Sequence, residues 1–184
     1  TSYPSIAFDP NNANMFVVAY KDEADSAHGK AVVGTLSGNA ISFGSEYIFN
    51  SGTSSIPFVE FDPNTANKFV IVYKDESNML TNRYGTAIVG IVSGTSISFG
   101  TKVAFSPGNA AWFGVSFDPN TANKFVIVYR DYVNSGVGKT IVGTISGTSI
   151  SYGSDSTFTT AAPSYPQVSF DPHTAGQFLL TYVA

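Results

Sequence analysis

The sequence predicts an all-β protein, a β-propeller-like array of about 3.5 four-stranded antiparallel blades of about 53 residues each. The tripeptide Phe-Asp-Pro occurs four times, starting at Phe8, Phe61, Phe117 and Phe170, with spacings of 53, 56 and 53 residues (61−8, 117−61, 170−117). Short apolar or alternating segments follow each copy and are separated by Gly- and Asn-containing turns, as is typical of strands. No segment shows helical periodicity. A fixed period of roughly 50 residues predicts a propeller or another repeat array.

The second repeat unit shows the strands most clearly. Strand A covers residues 56–62 and ends in the turn Asp-Pro-Asn-Thr-Ala-Asn. Strand B, residues 68–73, is apolar on both faces, so we expect both faces to be buried. A polar loop leads to strand C, residues 86–92, and the hairpin-like turn Ser-Gly-Thr-Ser leads to strand D, residues 97–105. Four antiparallel strands in this order match a propeller blade.

The other units repeat this order, and together they form one predicted domain, residues 1–184. The fourth unit stops after strand B, whereas a closed propeller normally has four to eight blades. Because uncovered blade faces and edges favour association, we expect self-association, as a homo-oligomer or a fibre. A β-sandwich or an open stack of sheets is the alternative architecture. The predicted units are approximately 1–53, 54–109, 110–162 and the partial unit 163–184.

Composition limits the functions that the chain can have. Charged residues make up 12%, the net charge is −4 and the pI is about 4.9, so a nucleic acid would meet no basic surface. There is no cysteine, which excludes disulfides and thiolate metal sites, and the two histidines occupy non-equivalent repeat positions. We expect no metal and no cofactor. We also expect no membrane insertion, because no apolar run approaches the ~18 residues of a membrane helix. The chain begins at Thr1, and we expect a processed product or a piece of a longer array.

One repeated phrase carries a resemblance to known sequences. Phe-Asp-Pro-Asn-Thr-Ala-Asn-Lys-Phe-Val-Ile-Val-Tyr occurs at 61–73 and at 117–129, with Gly-Thr-Ala-Ile-Val-Gly at 85–90 and Ser-Gly-Thr-Ser-Ile-Ser-Phe-Gly at 93–100. These repeats resemble tandem repeats of marine phage and bacterial proteins, and more widely bacterial propeller blades. The resemblance implies an adhesive or structural role in tail fibres or secreted proteins, hence an extracellular or virion location, and it supplies no catalytic motif.

The two sides of the predicted array differ in sequence. The A–B turns and the C–D turns, which share one side, are nearly identical from unit to unit. The B–C loops lie on the opposite side and read differently in residues 23–28, 76–84 and 132–137. Because diversified loops on a rigid scaffold are where binding usually occurs, we expect a ligand on the side of the B–C loops, which we call the loop side. The side of the repeated turns is the turn side.

Candidate binding residues follow from that expectation. Large residues open strand A, basic-acidic pairs follow the tyrosine that ends strand B, and two tyrosines lie in B–C loops. Aromatic rings stack on sugar C–H groups, while Lys, Arg and Asp hydrogen-bond hydroxyl groups. The competing interpretation is packing for the rings and loop-closing or inter-blade contacts for the charged pairs. The candidates are Tyr3, Trp112, Tyr165, Lys21, Asp22, Lys74, Asp75, Arg130, Asp131, Tyr84 and Tyr132.

The Asp-Pro-Asn turns and the repeated carboxylates have simpler interpretations than metal binding or catalysis. Asp and Asn in such turns bond their own backbone, and each turn has one carboxylate where calcium needs several. Acid–base catalysis needs two carboxylates in different environments, whereas these are equivalent by repetition. We therefore predict a non-enzymatic adhesive or recognition module for surface glycans. A structural fibre or coat protein without a ligand and a glycoside-active propeller enzyme are the alternatives.

Overall fold

The structure, a computed structural model, describes residues 1–78 and 82–184, and all regular structure in this part of the chain is β-strand. Every paired strand is antiparallel to its partner. The all-β prediction is confirmed. The described residues include no helix that is long and apolar enough to cross a membrane. The strands are β1 (Ser2–Phe8), β2 (Met15–Asp22), β3 (His28–Ser37), β4 (Ala40–Phe61), β5 (Lys68–Asn78), β6 (Asn82–Ser93), β7 (Ser96–Phe99), β8 (Val103–Phe117), β9 (Lys124–Asp131), β10 (Val137–Ser146), β11 (Ser149–Tyr152), β12 (Ser156–Thr159), β13 (Ser164–Phe170) and β14 (Phe178–Val183).

Neighbouring strands in the chain are neighbours in the sheet. The hydrogen-bonded order is β1-β2-β3-β4-β5-β6-β8-β9-β10-β11, with β7 also on β6 and β12 also on β10. Strands β13 and β14 form a separate pair. The path begins at β1 and ends at β11, so the sheet does not close on itself.

Two long strands connect the repeat units. Strand β4 pairs with β3 up to Thr53 and with β5 from Ser54 onwards. Strand β8 likewise pairs with β6 up to Asn109 and with β9 from Ala110 onwards. At these two junctions strand D of one unit continues directly into strand A of the next, whereas at the third junction β12 ends at Thr159 and β13 begins at Ser164. The first three units each follow the order A, B, C, D.

Strand D of the second unit differs from its prediction. The sequence predicts one strand over residues 97–105, but the structure has β7 and the start of β8 with Gly100 between them. A Cβ atom at Gly100 would lie 2.2 Å from the carbonyl oxygen of Thr148, in the C–D turn of the third unit. Glycine at this position admits the close approach of the neighbouring unit. It does not by itself end the strand, since a Cβ atom at Gly44 would lie 2.5 Å from the carbonyl oxygen of Thr95 and β4 continues unbroken there.

The core lies between successive units. Strand B is buried on both faces in the second and third units, as predicted; every side chain of 69–73 and of 125–129 is inaccessible to solvent. We call the face bearing Phe69, and its equivalents Phe16, Phe125 and Phe178, the aromatic face. The opposite face, which bears Val70 and its equivalents, is the valine face. The valine face of each unit packs on the aromatic face of the next, which stacks the units face to face.

Glycine in strand C makes room for the ring on the aromatic face. A Cβ atom at Gly90 would lie 2.1 Å from Cζ of Phe69, and the same arrangement occurs between Gly143 and Phe125 at 2.2 Å. The ring thus lies flat on the neighbouring strand within its own sheet. This pairing repeats because the residues directly opposite in the ladder are Phe69 with Gly90 and Phe125 with Gly143.

The A–B turns have the geometry that the sequence predicts. The Oδ1 atom of Asp62 accepts the backbone N–H of Asn64 at 2.9 Å, and Asp118 holds Asn120 at the same distance. Asp9 and Asp171 make the equivalent bond in the first and fourth units. The interpretation of Asp-Pro-Asn as a side-chain-stabilised turn is confirmed.

Candidate functional site

Strand A of every unit begins with a bulge that holds a large residue in an unusual conformation. Two residues of strand A stand opposite the single tyrosine of strand B, because the register shifts by one there in all four units. The first bulge residue has a positive φ: 52° at Tyr3, 51° at Ile56, 56° at Trp112 and 51° at Tyr165. A bulky residue in this region is uncommon and strained. Bulges redirect side chains, and here the same strained backbone occurs at each large residue that opens strand A.

The bulges lie next to the ends of strand B, as expected. Ser2 is opposite Lys21, Ser55 is opposite Lys74, and Ala111 is opposite Arg130. The predicted neighbourhood of strand A starts and basic-acidic pairs is therefore confirmed for the first three units. The three bulges share the loop side with the B–C loops.

Four predicted residues come together at the boundary of the third and fourth units. The ring centroids of Trp112 and Tyr165 are 4.3 Å apart at an interplanar angle of 60°. The indole N–H of Trp112 donates to the hydroxyl of Tyr132 at 3.2 Å, and the Arg130 guanidinium lies 4.5 Å from the centroid of the Tyr132 ring. Tyr165 is 63% exposed and Tyr132 is 39% exposed. We call this group of Trp112, Arg130, Tyr132 and Tyr165 the Trp112 cluster.

The predicted aspartates are engaged inside the protein. Each accepts the backbone N–H two residues further on and thereby turns the chain into the B–C loop. Each also pairs with a lysine of strand C or of the segment between β7 and β8: Asp22 with Lys30 at 2.7 Å, Asp75 with Lys102 at 2.7 Å, and Asp131 with Lys139 at 3.1 Å.

The pKa values of these aspartates agree with their contacts. Burial raises the pKa of Asp131, but hydrogen bonds from Asn134 and Lys139 outweigh it, and the net pKa lies below the usual value. The hydrogen bond from Lys30 is the largest influence on Asp22 and lowers its pKa too. These carboxylates stay ionised at neutral pH and have their acceptor capacity largely filled, so they position the B–C loops.

The predicted basic residues differ among themselves. Lys21 pairs with Glu23 at 3.1 Å, and Lys74, which is buried, pairs with Glu76 at 3.5 Å. Burial is the largest influence on Lys74 and lowers its pKa. Of the three predicted basic residues, Arg130 is the one that the structure brings into the Trp112 cluster.

The remaining predicted residues lie apart from that cluster. Tyr3 is exposed at the start of the first unit. Tyr84 is half-buried in β6, with its backbone opposite Asp75 and Asn109. Residues 79–81 of the second predicted B–C loop lie outside the described residues.

Two features were missed from the sequence. Lys30 is surrounded by three carboxylates, of Asp22, Asp25 and Glu46, and the hydrogen bond that it donates to Asp22 is the largest of the influences that raise its pKa. The spacing could have revealed it, because Lys30 and Lys139 both follow an aspartate by eight residues (30−22, 139−131).

The second missed feature is Glu60. It lines a cleft of about 370 Å³ together with Ile6, Phe8 and Phe117, and burial raises its pKa to about 7. Its repeat equivalents are Ala7, Ser116 and Ser169, so repetition gave no signal for it. Among the described residues, no group of three or more His, Cys, Asp or Glu side chains is placed to hold a metal ion.

Comparisons with known proteins support the fold class. No family model matches the chain, and no curated protein matches it. Its fold is similar to that in the crystal structure of Sqt1 from Chaetomium thermophilum, with a TM-score of 0.59 and 15% sequence identity over 91% of this chain. The chain spans 38% of the length of the Sqt1 chain. At this identity the likeness shows the fold alone.

Proposed function

We propose that this chain is a non-enzymatic recognition module, extracellular or on a virion, that binds surface glycans through the Trp112 cluster. One observation carries the proposal: strained bulges present large side chains on the loop side in every unit, and at Trp112 and Tyr165 two such side chains meet. Of the four strained positions, Tyr3 and Tyr165 are exposed aromatic residues. Backbone strain of this kind is typical of binding sites, since folding alone would favour its removal.

The chemistry of the cluster suits a sugar. The exposed ring of Tyr165 presents a flat apolar surface to the C–H face of a pyranose. Tyr132 and Arg130 add a hydroxyl and a guanidinium, which hydrogen-bond sugar hydroxyls. The hydrogen bond from Trp112 to Tyr132 and the stacking of Arg130 hold these groups in position before a ligand binds, which lowers the entropy cost of binding.

We further propose that the units are propeller-like blades. Successive A strands contact each other, β1 with β4, β4 with β8, and β8 with β13. Face-to-face stacking of the sheets with the A strands adjacent is the arrangement in which a propeller places its inner strands. The similarity in fold to Sqt1 over 91% of this chain is compatible with it.

The environment of Glu60 favours the proposed non-enzymatic function over glycoside hydrolysis. Hydrolysis of a glycosidic bond needs a second carboxyl group within about 5–10 Å. The other residues that line the Glu60 cleft are uncharged. Asp22, Asp75 and Asp131 lie on the loop side and are held by lysines and backbone N–H groups.

A glycan array probed with the whole chain tests this proposal. We expect binding to a limited set of glycans and no release of reducing sugar when the same glycans are incubated with the protein. Turnover of a bound glycan would establish the enzyme instead. Absence of binding on a broad array, together with ordered fibres in electron micrographs, would favour the structural alternative.

A further inference from the structure

The two outermost faces of the chain are unmatched halves of the interface that joins its units. Inside the chain, the valine face of one unit covers the aromatic face of the next. The aromatic face of the first unit and the valine face of the fourth have no such cover. We call the first the head, formed by β1 and β2, and the second the tail, formed by β13 and β14.

Exposure at equivalent positions shows how much apolar surface is left open at the head. Phe8 is 54% exposed, whereas its equivalents Phe61 and Phe117, covered by the preceding units, are each 3% exposed. Ile6 is 57% exposed, whereas its equivalent Val59 is 4% exposed. The part of this surface that strand A forms is thus solvated at the head, whereas Phe16 of β2 is already 3% exposed.

The tail shows the same contrast. Leu179 is 81% exposed, and its three equivalents Val17, Val70 and Val126 are completely buried. A concave cleft of about 450 Å³ beside it is lined by Phe170, Asp171 and Phe178. Strands β1, β13 and β14 contain no charged residue. The two charged residues of β2, Lys21 and Asp22, already pair with Glu23 and Lys30 within the first unit.

A hydrogen bond that joins the units at two of the three inner interfaces is also left without its partner at each end of the chain; at the interface of the second and third units, Asp62 Oδ2 has no partner among the described residues. The Oδ2 atom of Asp9 accepts the backbone N–H of Asn67 in the next unit at 2.7 Å, and Asp118 accepts that of Gly176 at 2.9 Å. The equivalent acceptor at the tail is Asp171 Oδ2, and the equivalent donor at the head is the N–H of Asn14. Within the described residues, neither of these two atoms has a hydrogen-bond partner.

We propose that a second copy of this chain docks head to tail, with β1 and β2 of one copy packed on β13 and β14 of the other. The interface continues the one between successive units: Phe8 and Ile6 cover Leu179, and Asp171 accepts a hydrogen bond from Asn14. Such an interface is heterologous, so it produces a ring when the rotation between copies closes and a filament when it does not.

Paired charge substitutions at the two ends test the proposal. Sedimentation velocity should show the native chain associating as its concentration rises. Ile6→Lys blocks the head and Leu179→Lys blocks the tail, and each variant alone should be monomeric. Mixed together they should form a dimer and nothing larger, because one intact tail and one intact head are left. Both side chains are exposed, so far-UV circular dichroism should remain unchanged.

Two further variants complete the design. Asp171→Asn retains the oxygen that makes the turn but replaces the free acceptor by an N–H donor, and it should weaken association at least tenfold. Val133→Lys is the matched control, since Val133 is equally exposed but lies in a B–C loop, and it should associate like the native chain.

Each other outcome overturns the proposal. A native chain that stays monomeric at every concentration shows that no second copy docks. If Leu179→Lys associates normally while Ile6→Lys does not, the contact is head to head, and the reverse result makes it tail to tail. A mixture of the two variants that stays monomeric excludes the heterologous interface.

Discussion

The side-chain amide of Asn64 donates a hydrogen bond to the backbone carbonyl oxygen of Asp118, which is 3.1 Å away and 54 residues further along the chain. Asn120 makes the equivalent bond to the carbonyl of Asp171 at 3.3 Å, and Asn11 makes it to the carbonyl of Asp62 at 3.5 Å. Asn11 also donates to the adjacent carbonyl of Pro63 at 3.2 Å. The Asp-Pro-Asn sequence therefore acts twice. Its aspartate shapes the turn, and its asparagine ties that turn to the next unit.

Removing one of these amides should destabilise the array. We expect Asn64→Ala to lower the free energy of unfolding by about 1–2 kcal/mol, because a partly buried hydrogen bond is lost and the carbonyl of Asp118 loses a donor. Urea denaturation followed by fluorescence measures it. Asn39→Ala, in an exposed C–D turn, is the control and should change stability by less than about 0.5 kcal/mol. Equal stability of the two variants would show that the inter-unit bond contributes nothing.

The period of the Phe-Asp-Pro repeat and the alternation of apolar and polar residues were sufficient to predict the strands and the Asp-Pro-Asn turn. Strand B was recognisable from its uninterrupted apolar run, and the loop side from comparison of the B–C loops. The contact from Asn64 to Asp118 was not predictable, because asparagine in this turn has an adequate local explanation. Only the stacking of neighbouring units brings the second partner within reach.

The sequence predicted which residues of the candidate site are neighbours, but not the backbone conformation that holds them. The antiparallel order placed Trp112 beside Arg130, and the register confirms it. A positive φ at Trp112 or Tyr165 contradicts local propensity, which assigns this region to Gly and Asn. The tertiary arrangement imposes the bulge, so no single-sequence rule indicates it. The partnership of Trp112 with Tyr132 depends on the path of the B–C loop, which the sequence does not specify.

The strain at the bulges can be measured at Tyr3, which is exposed and lies outside the Trp112 cluster. Because its φ is 52°, glycine should be preferred over alanine there, and we expect Tyr3→Gly to be more stable than Tyr3→Ala by about 1 kcal/mol. The control is Thr144, an exposed strand residue without positive φ, where the order should reverse. Thermal unfolding of the four variants decides it, and an alanine variant at residue 3 that is as stable as the glycine variant would mean that the bulge is unstrained.

Glu60 should make stability depend on pH in a window of its own. Its pKa rises from 4.5 in the unfolded chain to about 7 in the folded protein because of burial. The folded state holds this proton more tightly, so the contribution of Glu60 to stability is fully present below pH 4.5, is lost as the pH rises to about 7, and does not change above that. Glu60→Gln should remove this fall and be about 1–3 kcal/mol more stable than the native chain at pH 8. Near pH 4 the two proteins should be similar.

The control for that effect is a carboxylate with a partner. Glu46 pairs with Lys30 at 3.3 Å and is exposed, so Glu46→Gln should gain no stability at pH 8. Denaturant midpoints measured between pH 4 and pH 8 separate the two variants. A Glu60→Gln variant whose stability parallels that of the native chain throughout this range would show that Glu60 is solvated.

Binding should depend on the loop side and not on the turn side. With a glycan identified by the array, Trp112→Ala should weaken binding by about 1–3 kcal/mol, the range for stacking on an aromatic ring, since it removes the ring against Tyr165 and the donor that holds Tyr132. Asn120→Ala changes the turn at the other end of the same strand segment, and should lower stability while leaving affinity unchanged. Isothermal titration calorimetry at a temperature where both variants are folded compares them.

Tyr132→Phe separates the two roles of Trp112, because it deletes the acceptor of the indole N–H and retains both rings. A partial loss of affinity indicates that the positioning of Tyr132 matters, and no loss indicates stacking alone. Equal losses from Trp112→Ala and Asn120→Ala would remove the distinction between the two sides and with it the assignment of the Trp112 cluster.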